Sequence, residues 1–238
     1  MIDILGYPIY NGYKDELIEK IINKEKKIHV VSGNPEVLYQ GLYEKELYNN
    51  FVSEESLIIP DGVGVVYSAK IKGLQVKEKI AGVEVMQDII SYCDKASKTI
   101  YLLGAKKQVV EKCKNTIEKT YKNVKVVGYR DGYFDLENCD DLIEDINKCN
   151  PHALFVAMGC PRQERFIIKY MNKLPCKIYM GVGGSFDIIA GEVKRAPRWM
   201  IKLGIEWLYR VAKEPWRIKR LGSIPKFMFK ALVYKNVG

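Results

Sequence analysis

The chain has 238 residues, 47% of them apolar, which suits one large domain whose core needs no disulfide or metal staple. Its whole net charge of +9 sits in residues 192–238, which hold 12 basic and 3 acidic residues, whereas residues 1–191 hold 26 of each. A neutral body disfavours a nucleic-acid binder, which usually carries basic patches on its body too, and six scattered cysteines without a C-x-x-C pair read as reduced, cytosolic thiols rather than a disulfide frame or zinc site.

Short, nearly all-apolar runs recur along the body: Ile28–Ser32, Leu57–Pro60, Thr99–Leu103, Val124–Gly128, Ala153–Ala157 and Lys177–Val182. Each reads as a strand buried on both faces. Stretches of helical period lie between them, among them Val83–Cys93, Gln108–Tyr121 and Glu164–Leu174. Alternating strand and helix predicts an α/β fold, a mostly parallel Rossmann-like sheet flanked by helices. In such sheets ligands bind at the carboxyl ends of the strands.

The loops at those ends carry the candidate chemistry. After the first run comes Ser32-Gly33-Asn34-Pro35-Glu36, which suits either a plain helix cap or a polar grip on a sugar or phosphate. After the second comes Pro60-Asp61-Gly62-Val63-Gly64. Asp61 reads either as a helix cap or as a general base at a strand end, with glycines that let backbone approach a ligand. Leu103-Gly104-Ala105 before a long helix is a weak anion-cradle signal. Gly159-Cys160-Pro161-Arg162-Gln163-Glu164 and Gly183-Gly184-Ser185-Phe186-Asp187 are two further polar, glycine-bearing loops. His29, inside a strand, and His152, before one, read as structural. No D-x-D triplet occurs, so a leaving diphosphate would need Arg or Lys in place of a metal. No G-x-G-x-x-G follows the first run, which argues against an NAD-dependent enzyme.

From about residue 194 the pattern changes. Residues 199–213 have helical period, with Leu203, Trp207 and Val211 stacked at i, i+4 and i+8, and Pro215 ends or kinks that helix. Arg210, Lys213, Arg217 and Arg220 follow a 3-4-3 spacing that would share one helix face, although a kink at Pro215 would rotate its second half. Trp199, Trp207, Trp216, Phe227 and Phe229 stud the same basic segment. The expected division is a catalytic body at 1–194 and a basic amphipathic appendage at 195–238 that meets an anionic membrane surface. No signal peptide is expected at Met1, and no run of about 18 apolar residues occurs, so the contact is expected to be peripheral and cytoplasmic.

Seven motifs stand in order: Pro60-Asp61-Gly62 with Gly64; Glu78-Lys79-Ile80-Ala81-Gly82; Gly159-x-Pro161-x-Gln163-Glu164; Gly183-Gly184-x-Phe186-Asp187-x-x-Ala190-Gly191; Arg195-Ala196-Pro197; Glu206-Trp207-x-x-Arg210; and Glu214-Pro215-x-Arg217-x-x-Arg220. Together, over residues 2–222, they resemble the bacterial WecG/TagA/CpsF glycosyltransferases (glycosyltransferase family 26). The resemblance implies inverting transfer of a sugar from a UDP-sugar to a polyprenyl-diphosphate-linked acceptor, with no cofactor and no metal. In the teichoic-acid branch of cell-wall synthesis the donor is UDP-N-acetylmannosamine and the acceptor undecaprenyl-diphosphate N-acetylglucosamine; UDP-glucose, UDP-galactose or a uronic-acid donor is the alternative. It also implies roles for residues. The catalytic base falls on Asp61, the polar pocket residues on Ser32, Asn34 and Gln163, and the diphosphate-neutralising arginines on Arg210, Arg217 and Arg220. Lys79 stands where the family usually has Arg, keeping the charge but losing the bidentate fork, and Glu84 stands where Asp is common. Gly104, Gly183, Gly184 and Asp187 are assigned by position to the uridine and ribose. Monomer and homo-oligomer both stay open, and no nucleic acid is expected.

Overall fold

The computed structural model describes residues 1–202, 204–213 and 222–234. It holds an eight-stranded sheet. The strands are β1 (Ile2–Ile4), β2 (Tyr7–Ile9), β3 (Ile28–Ser32), β4 (Ser56–Ile59), β5 (Thr99–Gly104), β6 (Lys125–Arg130), β7 (Ala153–Ala157) and β8 (Ile178–Gly181). Their order is β1-β2-β4-β3-β8-β7-β5-β6, parallel throughout except for the β1–β2 pair. The six apolar runs are the six long parallel strands.

The helices cover both faces: α1 (Lys14–Ile22), α2 (Pro35–Gly41), α3 (Lys45–Phe51), α4 (Val63–Ile71), α5 (Gly82–Lys95), α6 (Lys107–Thr120), α7 (Asp140–Cys149), α8 (Arg162–Tyr170) and α9 (Ser185–Ile189). Alternation along each strand sorts the core. Val30, Leu57 and Ile59 face the layer of α1, α5 and α6; Val31 and Ile58 face α2, α3 and α4. The helices form because their apolar residues recur at three- and four-residue steps. On α5, Val83, Met86, Ile90 and Cys93 are buried; on α6, Val109, Val110, Cys113 and Ile117.

Two features differ from the sequence reading. The β1–β2 hairpin is not signalled. It turns through Leu5 (φ 59°) and Gly6 (φ 80°), both left-handed, where hairpins ordinarily show Asn-Gly or Asp-Gly, and its strands have three residues each, too few to show a period. The continuous helix expected over 199–213 is instead broken into α10 (Arg198–Lys202) and α11 (Glu206–Lys213). Gly204 makes the break at φ 74°, and a methyl group there would stand 2.6 Å from Val63 Cγ1, so the chain turns where it touches α4.

The last described helix, α12 (Ser223–Val233), packs on α2 and α4 and buries Phe227 and Ala231 in the same core as Val37 and Val65. In packing terms, therefore, the end of the basic segment is seated on the body.

Candidate active site

The carboxyl ends of β4, β3, β8 and β7, neighbours at the centre of the sheet, open into one cavity of about 300 Å³. It is lined by Ser32, Asn34, Asp61, Lys79, Gln163, Gly183 and Gly184, seven of the residues singled out in the sequence. Two glycines bring its walls together. A methyl on Gly33 would stand 2.4 Å from the Ile59 carbonyl, and one on Gly64 would stand 2.3 Å from Pro35, so the β3 and β4 loops close on each other only without side chains there.

Asp61 does not cap α4; Gly62 occupies that position, at φ 88°. The carboxylate turns instead towards Ser32. Asn34 is the N-cap of α2, and its Oδ1 accepts from the backbone N–H of Glu36 at 3.0 Å and of Val37 at 3.1 Å. Backbone N–H groups only donate, so the other end of the amide is Nδ2, which donates to Ser32 Oγ at 3.2 Å. Ser32 Oγ then spends its own proton on Asp61 Oδ2, at 2.5 Å. The chain Asn34→Ser32→Asp61 runs one way and leaves Asp61 as an acceptor. The first turn of α5 adds to this. A methyl on Gly82 would stand 3.3 Å from Asp61 Oδ2, which puts the positive end of a 14-residue helix beside the carboxylate. The Ile80 N–H donates to the Pro60 carbonyl at 3.1 Å, pinning the segment that carries Lys79 against the end of β4.

On the β7–β8 side Gln163 and Glu164, both buried, open α8. Gln163 Oε1 accepts from the Gly183 N–H at 3.1 Å, and its Nε2 donates to Glu164 Oε1 at 2.8 Å. Burial pushes the Glu164 carboxyl up to about 7.

The basic segment completes the enclosure. Gly204, Glu206, Trp207 and Val211 of the α10–α11 segment and Ser223 and Ile224 of α12 also line the cavity. Arg195 ties this cover down, pairing with Glu84 on α5 at 2.7 Å and with Glu206 on α11 at 3.9 Å. Arg210 lies on α11. Arg217 and Arg220 lie outside the described residues.

Gly104 and Asp187 do not line this cavity. Gly104 (φ 114°) is required by packing, since a methyl there would stand 2.4 Å from the Ala157 carbonyl. It also sits beside a second cavity, of about 660 Å³, lined by Ala105, Tyr133, Phe134, Met158 and Arg162 at the ends of β5, β6 and β7. Asp187 is on α9, which packs on α6. The residues that sequence reading missed are Glu164, Glu206, Ile224 and this second group. Glu164, Glu206, Ala105 and Arg162 stand in the quoted motifs and loops without a role of their own, whereas Ile224, Tyr133 and Phe134 left no signal. His29 is buried and bonded to Asn50 at 2.8 Å, away from the cavity, and burial lowers its pKa to about 4. Among the described residues, no group of three His, Cys, Asp or Glu side chains could hold a metal ion, and no helix is long and apolar enough to cross a membrane.

Residues 2–237 match the glycosyl transferase WecG/TagA/CpsF family. The chain belongs to that family. It is 37% identical over 221 residues to an N-acetylglucosaminyldiphosphoundecaprenol N-acetyl-beta-D-mannosaminyltransferase of Bacillus subtilis (strain 168), covering 93% of this chain and 85% of the relative. Proteins of the same name are 33% identical in Staphylococcus aureus (strain MW2), over 96% of this chain and 91% of the relative, and 32% identical in Bacillus spizizenii, over 90% and 82%. This glycosyltransferase thus has its strand-end cavity where the family motifs converge: the loops that carry Asp61, Lys79, Gln163 and Gly183 come from separate parts of the sequence and line one cavity.

Proposed function

We propose that the chain moves N-acetylmannosamine from UDP-N-acetylmannosamine to N-acetylglucosaminyl-diphosphoundecaprenol, with inversion, in teichoic-acid synthesis. The observation that carries this reading is the one-way hydrogen-bond chain that holds Asp61 as an acceptor at the floor of the cavity, joined to the activity named for the relatives. Asp61 takes the proton of the acceptor hydroxyl as that oxygen bonds to the anomeric carbon. The bond from that carbon to UDP breaks on the opposite face, and UDP leaves with the electron pair. Lys79, in the cavity wall, and Arg210, Arg217 and Arg220 neutralise the departing diphosphate. Ser32, Asn34 and Gln163 orient sugar hydroxyls and the acetamido group, with Gly183 and Gly184 against the donor backbone. The two cavities share the loop after β7, so the donor lies along the carboxyl edge of the sheet with its uridine towards Gly104 and Tyr133.

The lipid-linked acceptor brings the enzyme to an anionic membrane surface. On α12 one apolar stripe is buried at Phe227 and Ala231, and a second faces outward: Phe229 is 68% exposed, Leu232 65% and Val233 59%. Lys226 and Lys230 flank that stripe, and Trp199, Trp207 and Leu208 are exposed on α10 and α11. This is the composition of an interfacial element.

A donor screen tests the reaction. UDP release from UDP-N-acetylmannosamine, UDP-glucose and UDP-galactose is followed with a lipid-linked N-acetylglucosamine acceptor, and the product anomer is read by NMR. Release with UDP-N-acetylmannosamine and a β-linked product is expected. Release only with another donor, or retention of configuration, sinks the corresponding part of the reading.

A further inference from the structure

The Gln163 amide is held at both ends. The group facing the Gly183 N–H must be an acceptor, so the Gln163 atom 3.1 Å from it is the carbonyl oxygen. The other end is then Nε2, which donates to Glu164 Oε1 at 2.8 Å. A flipped amide would set its NH₂ against the Gly183 N–H whatever the protonation of Glu164, and its oxygen against the ionised carboxylate as well. There is no slack for a third arrangement. A methyl on Gly181 would stand 2.7 Å from Gln163 Nε2 and 3.0 Å from Glu164 Oε1, so the pair rests directly on the backbone of β8. Nε2 carries two hydrogens, and Glu164 takes one. The second is left for an occupant of the cavity that Gln163 lines.

We propose that Glu164 is a positioning residue, clamping Gln163 so that the amide offers an N–H, and not its carbonyl, to an oxygen of the bound sugar. The identity of that oxygen rests on the glycosyl-transfer reading; the clamp itself does not. Glu164 is 2% exposed and does not line the cavity, so it acts through its neighbour. Burial raises its pKa, and the Glu36 carboxylate adds to the rise, while hydrogen bonds from Gln163 and the Cys160 thiol oppose it. A carboxyl oxygen accepts in either protonation state, so the clamp holds on both sides of neutrality.

Two measurements test it, one without turnover. Hydrogen exchange of the Gly183 amide is compared in the parent, Glu164→Gln and Glu164→Met. Glu164→Met keeps the length and loses the acceptor, so Gly183 should exchange roughly 10-fold faster or more, while Glu164→Gln, which keeps a carbonyl acceptor, should stay near the parent. In the donor assay, Glu164→Met and Gln163→Ala should each lower turnover by roughly 10- to 100-fold. The double variant should be no worse than Gln163→Ala alone, because the clamp has nothing left to hold. Unchanged Gly183 protection in Glu164→Met, or a double variant whose loss is the product of the two single losses, overturns the proposal. Should Glu164→Met fail to fold, Glu164→Asp, one methylene short of the amide, takes its place with the same expectations. A parent that releases UDP from no donor removes the glycosyl-transfer reading, and the exchange comparison still decides the clamp.

Discussion

Ser32 reaches Asp61 with a 2.5 Å hydrogen bond, and that contact holds the carboxylate as a hydrogen-bond acceptor, the form that the proposed general base requires. Asp61→Asn keeps the shape and removes the base. Turnover should fall by roughly 10²- to 10⁴-fold while UDP affinity, read by titration calorimetry, stays near the parent value. Near-normal turnover would take Asp61 out of the mechanism. Glu164 makes a different prediction, about stability. Its folded pKa is raised from 4.5 to about 7. Between those values the folded chain binds a proton that the unfolded chain does not, so this group's contribution to stability falls as pH rises through that window and is fully unfavourable above it. Glu164→Gln removes the effect. Urea unfolding should show the variant gaining on the parent from pH 5 to pH 8, by up to roughly 3 kcal/mol. His29, lowered to about 4, works in the opposite direction but is the same in both proteins and drops out of the difference. A gain that shrinks towards pH 8 would mean that Glu164 is not buried as described.

At the scale of elements, α12 has two apolar stripes in different environments, one buried and one exposed. Phe227 is fully buried against α2 and α4, whereas Phe229 points away from the core. Phe227→Ala should cost about 3–5 kcal/mol in chemical denaturation, the usual cost of emptying a packed aromatic site. Phe229→Ala should fall within roughly 0.5 kcal/mol of the parent and weaken vesicle binding instead. Equal effects of the two on stability would refute the assignment of stripes. The element boundaries show why sequence reading succeeded for some helices and failed for others. The parallel strands and α5 and α6 carry their own pattern, because both faces of a strand or one face of a helix are buried. The break at Gly204 is a glycine helix stop, with φ 74° and the Ile205 N–H returning to the Met200 carbonyl at 2.9 Å, a local signal that the helical period on either side overrides. Contact with α4 then holds the position to glycine, since a methyl there would stand 2.6 Å from Val63 Cγ1.

For the molecule as a whole, the strand-end loops and the basic segment, separate along the chain, meet at one cavity. The basic segment supplies part of the cavity's cover and the outward apolar stripe. Each Lys or Arg near an anionic bilayer contributes on the order of 1 kcal/mol, and salt screens it. Binding to acidic vesicles should therefore weaken steeply with ionic strength and be lost on neutral vesicles; salt-insensitive binding in sedimentation would assign the contact to the apolar stripe alone. Arg217→Ala, assayed with a short-chain soluble acceptor, separates anchoring from catalysis. A large loss of turnover with vesicle binding nearly unchanged is expected, and parental turnover would confine the segment to anchoring.

The sequence by itself determined the alternation of strand and helix, the parallel class of the sheet, the placement of the charge and the family motifs. Each of these is written locally, in burial period, composition or short residue order. Most of the cavity was legible too, because in a parallel α/β sheet function gathers at strand ends and the loops there can be read one by one. Tertiary structure alone decided which loops share a wall. It set β4, β3, β8 and β7 side by side and left Gly104 and Asp187, both assigned to the donor by position, outside that cavity. It also decided direction. That Asp61 accepts from Ser32 rather than capping α4, and that Gln163 is locked between Gly183 and Glu164, follow from donors and acceptors brought together from distant parts of the chain, and no local pattern encodes a partner 20 or 29 residues away.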